Sequence, residues 1–240
     1  MRPRFVGRVG PADAVTVVNA MIGFLAVAAA TVDPRLAARL VLLAAIGDGV
    51  DGVVARRLGG SPVGEHLDSL SDVAAYGVAP AVVVAAYAAD AWDLSVDAAA
   101  LSSPSPELLA AASLPALFVG MVVLRLGLYT AYDAGNHHTE GVPSTLAATV
   151  LAAVVLASAG DAAVLIAGTG VLSYLMVTTI TYPDLLARDA LIMGAVQGLA
   201  VLFPAFAGRA FPYAVLTLAL AYLLLSPWFY WRPEGATERY

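Results

Sequence analysis

The chain has 240 residues, of which 60% are hydrophobic and 12% are charged, and its formal net charge is −6. A soluble domain has about twice that charged fraction, so the composition argues against a soluble globular protein. The acidic balance gives no indication of nucleic-acid binding, and the absence of cysteine excludes disulfide bonds.

Apolar runs of about 20 residues, separated by short polar breaks, recur along the whole sequence and predict an all-α integral membrane protein. No polar stretch between these runs is long enough to fold alone, so residues 1–240 are expected to form a single membrane domain. We predict about eight transmembrane helices, near residues 12–31, 35–57, 68–89, 108–130, 143–159, 161–181, 189–207 and 211–230.

The arginines predict the orientation in the membrane. All twelve basic residues are arginine. With the amino terminus in the cytoplasm, nine of them fall on or near the inner side, whereas Arg35, Arg39 and Arg209 fall outside. Because cytoplasmic loops are enriched in basic residues, both termini are expected in the cytoplasm and the protein in the cell membrane.

Four aspartates interrupt the apolar pattern at the cytoplasmic ends of predicted helices two and three. Asp48 and Asp51 are three residues apart, and Asp68 and Asp72 are four apart, so each pair lies on one face of a helix. A turn at 57–63 allows the two helices to run antiparallel, which brings the four carboxylates together. Such a cluster favours Mg²⁺ or Mn²⁺, and it can hold two ions about 3.5–4 Å apart for displacement at phosphorus.

Small residues and a cation accompany the aspartates. Gly47, Gly49, Gly52 and Ala55 leave the helix face open to a ligand, and Arg56 offers a planar cationic group suited to phosphate. For the glycines alone, close helix packing in the membrane is an equally good explanation.

The run Asp48-Gly-Val-Asp51-Gly-Val-Val-Ala-Arg56, followed by Gly64-Glu-His-Leu-Asp68-Ser-Leu-Ser-Asp72, resembles the signature of the CDP-alcohol phosphatidyltransferases. These integral membrane enzymes move a phosphatidyl group from a CDP-linked lipid to an alcohol and release CMP. Seven residues separate Arg56 from Gly64, where the family usually has eight. The difference falls in the turn between the two helices.

The resemblance implies an active site built on residues 48–72 and a homodimer. It implies that Asp48, Asp51, Asp68 and Asp72 bind the metal ions and that Asp72 also serves as the catalytic base, with metal binding alone as the alternative for Asp72. The residues implied to contact the CDP-lipid are Thr16, Asn19, Gly52, Ala55, Arg56 and Gly64.

Three residues outside the motif have open alternatives. Thr16 and Asn19 resemble a Thr-x-x-Asn element near the nucleotide, but they could equally form hydrogen bonds between helices. Arg125 is expected to bind the acceptor's carboxylate or a phosphate, unless it simply extends to the membrane interface. Gln197 is expected to form an interhelical hydrogen bond, and Tyr76 to pack near the site.

The acceptor is predicted from the residues after the motif. Leu67 to Pro80 resembles the serine-using branch of the family, and the proline and lysine of the glycerol-phosphate branch are absent. The second arginine of the serine branch is replaced by Gly127 or Leu128, so glycerol phosphate or inositol phosphate stays an alternative. A divalent-cation transporter is a distant alternative, because intramembrane carboxylates also mark ion paths.

The lipid donor follows from the composition. An acidic, lysine-free, alanine-rich chain resembles proteins of high-salt archaea, although GC-rich coding produces the same bias. The archaeal interpretation implies CDP-archaeol as the donor and archaetidylserine as the product. The alternative donor is CDP-diacylglycerol.

Overall fold

Helices form most of the structure. A computed structural model describes residues 9–58, 61–95, 97, 100, 102–133, 138–183 and 185–230, and at 51–58, 133 and 187 it describes the backbone only. The helices are α1 (Pro11–Ala30), α2 (Pro34–Leu58), α3 (Gly64–Asp72), α4 (Ala79–Ala91), α5 (Pro106–Leu128), α6 (Ser144–Ala157), α7 (Ala162–Leu175), α8 (Ala187–Leu202) and α9 (Ala210–Phe229). The π-helical turn Val73–Val78 joins α3 to α4, a second one at Tyr129–Asp133 follows α5, and the strands are β1 (His138–Glu140) and β2 (Thr181–Pro183).

Each predicted membrane segment overlaps a helix, counting α3 to α4 as one, although the predicted segment 189–207 is too long because α8 ends at Leu202. Among the described residues, four segments are long and apolar enough to cross a membrane: Pro11–Ala30, Gly64–Ala91, Pro106–Tyr132 and Ala210–Phe229. The chain is therefore a multi-pass helical membrane protein. The number eight stays a prediction, because α2 and α8 are not among these four segments. In addition, α6 and α7 have only 14 residues each, or about 21 Å of helix against a hydrocarbon core of about 30 Å.

Small residues bring α1 against its neighbours. Its buried positions recur every three or four residues, which gives the helix one packed face. On that face, a Cβ at Gly23 would lie 2.9 Å from the Cα of Ala75 in the π-helical turn 73–78. A glycine at this position therefore permits a backbone approach that a larger residue would prevent.

Two of the three arginines predicted on the outer side donate to carbonyls at the ends of other helices. Arg39 donates from Nε to the carbonyl of Val201 at 2.7 Å, at the end of α8. Arg209 donates to the carbonyl of Ala157 at 3.3 Å, at the end of α6. The last carbonyls of a helix have no donor within the helix, and the two arginines supply one. Their positive charges also interact favourably with the negative end of the helix dipole.

The predicted segment 161–181 is wrong beyond Leu175, where α7 ends and the chain turns toward β2. The carbonyl of Leu175 accepts from the backbone of Val142 at 3.1 Å, and the carbonyl of Ile180 accepts from Gly141 at 2.8 Å. The two strands then pair antiparallel, with Thr139 opposite Tyr182. The segment before α6 thus occupies the space that a longer α7 would need.

We expect Gly141→Ala to lower the free energy of unfolding by about 2 kcal/mol or more, because Gly141 has a φ of +75° and a Cβ there would lie 2.1 Å from the Met176 carbonyl oxygen. Thermal unfolding in detergent measures the effect. Gly168→Ala is the matched control, since a Cβ at Gly168 meets nothing within 4 Å. Equal stability of the two variants would contradict the expectation.

Candidate functional site

A cavity of about 200 Å³ opens where α2, α3 and the ends of α5 and α6 meet β1. Its lining combines acidic, cationic and hydroxyl side chains with few apolar ones. The lining residues are Asp48, Glu65, Asp68, Ser69, Asp72, Arg125, Leu126, Tyr129, Thr139, Pro143, Ser144 and Thr145.

Three of the four predicted metal-binding aspartates meet in this cavity. Asp48, Asp68 and Asp72 each offer a carboxylate oxygen, and these oxygens all lie within 4.8 Å of one another. Asp72 is buried, Asp48 is half-buried and Asp68 is exposed. The predicted convergence of α2 and α3 is therefore present for these three residues, whereas the side chain of Asp51 lies outside the described part of the chain.

The donor set of this carboxylate cluster (Asp48, Asp68 and Asp72) fits a hard divalent cation. Carboxylates offer only oxygen acceptors, and three negative charges this close repel one another unless a cation lies among them. Oxygens that share one Mg²⁺ at about 2.1 Å lie at most about 4.2 Å apart. The observed limit of 4.8 Å is close to that size, so a small closing movement suffices.

Arg125 faces the same cavity from α5. Its side chain is 7% exposed, and its Nη2 donates to the hydroxyl of Thr139 at 3.2 Å. Its Cζ lies 5.6 Å from the centre of the Tyr129 ring, within the range of a cation–π interaction. Burial and these contacts hold the guanidinium at the cavity, where an anionic group of a substrate could bind it. The prediction that Arg125 belongs to the site is consistent with this position.

A pair of hydroxyls links α3 to the end of α5. Ser69 and Thr130 have their hydroxyl oxygens 3.1 Å apart, and Thr130 donates to the carbonyl of Leu126 at 2.9 Å. Because Thr130 has one hydroxyl proton, Ser69 is the donor between the two. The contact fixes α3, and with it Asp68 and Asp72, beside the helix that carries Arg125.

Thr16 and Asn19 form hydrogen bonds between helices and are not among the described cavity residues. The carbonyl of Thr16 accepts from the Ser71 hydroxyl at 2.9 Å. Asn19 donates to the hydroxyl of Tyr76 at 2.9 Å, and Tyr76 donates to the carbonyl of Ala44 at 2.8 Å. The interhelical alternative is therefore present for the Asn19 side chain, whereas the Thr16 hydroxyl donates within α1 to the carbonyl of Ala12 at 3.2 Å. Contact of either residue with a nucleotide stays a prediction. Tyr76 is fully buried, which agrees with its predicted packing role.

The small residues of the motif divide into two groups. A Cβ at Gly47 would lie 3.2 Å from Asn19 Oδ1, and one at Gly64 would lie 3.2 Å from Oδ1 of the buried Asp13. Both glycines therefore have a packing reason. A Cβ at Gly49 meets nothing within 4 Å, which leaves room for a ligand. For the other predicted contacts only the backbone is described: Gly52, Ala55 and Arg56.

Several polar cavity residues are absent from the predicted site. Tyr129 follows Arg125 by one helical turn, and Glu65 lies within the motif run, so helical spacing could have identified both. Thr139 gave no such signal, because it reaches the cavity through strand pairing with a distant part of the chain. The predicted interhelical bond of Gln197 is confirmed, since it donates to Thr149 at 3.4 Å.

Known proteins resemble the chain over the same region. The family model for CDP-alcohol phosphatidyltransferase matches residues 11–181. Archaetidylserine synthase of Methanothermobacter thermautotrophicus is 31% identical over 180 residues, which are 71% of this chain and 68% of that protein. CDP-diacylglycerol–serine O-phosphatidyltransferase of Mycobacterium leprae is 56% identical over 52 residues, which are 21% of this chain and 17% of that protein.

Proposed function

Because the chain belongs to the CDP-alcohol phosphatidyltransferase family, we propose that it transfers a phosphatidyl or archaetidyl group from a CDP-linked lipid to the hydroxyl of L-serine. The observation that carries this proposal is the meeting of the carboxylate cluster and the buried Arg125 in one cavity. The names of the two relatives support serine as the acceptor.

The carboxylate cluster would hold Mg²⁺ or Mn²⁺, with Asp51 as a fourth ligand for a second ion. When bound, these ions supply Lewis-acid stabilisation of the negative charge on the diphosphate. The cavity brings this anionic cluster and a fixed cation within reach of one small ligand. Serine suits this arrangement because its carboxylate matches the guanidinium of Arg125 while the cluster holds the metal ions.

The reaction follows as a direct displacement. Asp72 accepts the proton of the serine hydroxyl while the hydroxyl oxygen forms a bond to the phosphorus that carries the lipid. The bond from that phosphorus to the bridging oxygen breaks, and CMP leaves with the electron pair. The family resemblance assigns the role of base to Asp72, which is also the most buried carboxylate of the cluster, so little water competes for the proton there.

The donor and the setting extend the proposal. CDP-archaeol is the favoured donor, which agrees with the acidic composition and with the name of the relative matched over 180 residues. We place the protein in the cell membrane as a homodimer, with both termini and the cavity on the cytoplasmic side. Soluble serine can enter the cavity from the cytoplasm, and CMP can leave into it. The continuous core of described residues supports one domain over residues 1–240.

We expect purified protein with Mg²⁺ or Mn²⁺ and CDP-archaeol to release CMP with L-serine about tenfold or more faster than with glycerol phosphate or inositol phosphate. Labelled serine in the lipid product measures the transfer directly, and CDP-diacylglycerol in parallel tests the donor. L-Alanine, which lacks the hydroxyl, is the matched control and should give no lipid product. Faster release with either phosphorylated alcohol would overturn the serine assignment.

A further inference from the structure

A proline in α9 frees a carbonyl that the strand β2 then binds. Pro227 has no backbone N–H, so it cannot donate to the carbonyl of Leu223, four residues earlier in the helix. The hydroxyl of Tyr182 donates to that carbonyl at 3.3 Å. Tyr182 is 2% exposed, and burial raises the pKa of its hydroxyl, so the group keeps its proton across the neutral range.

Tyr182 also lies directly opposite the residue that bonds Arg125. In the two-stranded sheet, Tyr182 pairs with Thr139, and directly opposed residues of an antiparallel pair share one face. Thr139 accepts the hydrogen bond from Arg125 Nη2 at 3.2 Å. A continuous set of contacts therefore runs from the carbonyl of Leu223 through Tyr182 and Thr139 to the guanidinium in the cavity.

The sheet depends on such an anchor because it is very small. Each strand has three residues, and an isolated two-stranded sheet is at most marginally stable. Tyr182 is the central residue of β2 and attaches the sheet to α9. Next to it, the carbonyl of Pro183 accepts a hydrogen bond from Tyr222 of the same helix. α9 thereby holds β2, and the strand pairing holds β1 with its Thr139 beside Arg125.

We propose that Tyr182 is a positioning residue for acceptor binding: it holds the sheet so that Thr139 orients the guanidinium of Arg125. The inference rests on the proposed function, in which Arg125 binds the carboxylate of the acceptor. Tyr182 itself is not among the described residues that line the cavity. Its effect should therefore fall on the KM of the acceptor and leave the KM of the CDP-lipid unchanged.

The first test compares Tyr182→Phe with Tyr174→Phe, which removes the same hydroxyl from a residue that is 71% exposed on α7. Tyr182→Phe should raise the acceptor KM about three- to tenfold, with kcat and the KM of the CDP-lipid changed by less than about twofold. Tyr174→Phe should change none of the three constants. An unchanged acceptor KM in Tyr182→Phe would overturn the proposal.

Adding Pro227→Ala separates positioning from a general loss of stability. The alanine supplies a backbone N–H for the Leu223 carbonyl, so the double variant Tyr182→Phe/Pro227→Ala should regain the thermal stability lost in Tyr182→Phe. The ring still lacks its anchor, so the acceptor KM should stay raised. Recovery of both quantities together would show that stability alone explains the effect, and would reject positioning.

Hydrogen–deuterium exchange tests the same contacts without turnover. Peptides covering His138–Glu140 should exchange about tenfold faster in Tyr182→Phe than in Tyr174→Phe, because the anchored strand opens more often. Equal exchange would overturn the proposal. The kinetic constants are measured with the acceptor that supports CMP release by the wild-type protein. If serine is not that acceptor, the wild-type protein already shows it. A failure of the present inference shows only in the comparison of the variants.

Discussion

Replacing Asp72 with asparagine is expected to lower kcat by about 10²- to 10⁴-fold, the range associated with loss of a general base. Asparagine keeps the size of the side chain but cannot accept the proton of the attacking hydroxyl, and it removes one negative charge from the carboxylate cluster. Asp72 is buried at 8% exposure, so water has little access to replace the lost base. CMP release at saturating acceptor and CDP-lipid measures the effect.

A titration with Mn²⁺ separates the two roles of Asp72. If Asp72 acts as the base, kcat of the asparagine variant stays low even when the metal is saturating. Recovery of kcat at high Mn²⁺ would instead assign metal binding alone.

The matched control is Asp161→Asn, because Asp161 accepts from the backbone of Val164 at 2.9 Å as the N-cap of α7, and asparagine caps equally well. Near-normal turnover of Asp72→Asn would exclude it as the base.

Arg125→Lys is expected to raise the KM of the acceptor by about 10- to 100-fold, although the positive charge is kept. Lysine is a point charge without the planar pair of donors that matches a carboxylate. It also loses the bond to Thr139 and the contact with Tyr129, so its position in the cavity is less fixed. Hydrogen bonds to charged groups contribute about 1.5–3 kcal/mol, which gives the expected range.

The control for Arg125→Lys is Arg188→Lys, which makes the same change at a side chain that is 81% exposed and paired with Asp189. Steady-state kinetics should give unchanged constants for this variant, because exposed ion pairs contribute little. If Arg125→Lys instead raises the KM of the CDP-lipid and leaves that of the acceptor unchanged, Arg125 binds the donor phosphates, and its assignment to the acceptor is wrong.

Helix positions and the carboxylate cluster were predictable because both depend on local sequence. Apolar runs mark helices in a membrane, and spacings of three and four fix which side chains share a face. Asp48, Asp68 and Asp72 therefore meet as predicted. The same spacing placed Thr16 and Asn19 on one face, but it could not show that this face meets Ser71 and Tyr76.

The strand pair was not predictable, because its stability comes from contacts that are distant in sequence. Three-residue strands carry almost no pattern of their own, and their pairing depends on Tyr182 reaching a carbonyl in α9. For the same reason, no sequence signal placed Thr139 beside Arg125. The need for glycine at position 141 likewise arises from the approach of Met176 in space, which the sequence does not show.

The π-helical turn at 73–78 joins the segment that carries Asp68 and Asp72 to α4, which is largely buried. A π-helical turn accommodates one residue more than the α-helical turn it replaces, and each residue of an α-helix advances the rotation by about 100°. The turn thus sets the rotational phase between the two halves of one continuous helix. α4 can keep its apolar sides against its neighbours while α3 directs its carboxylates into the cavity. The packing of α4 in the core and the direction of the carboxylates on α3 are therefore set independently within one continuous helix.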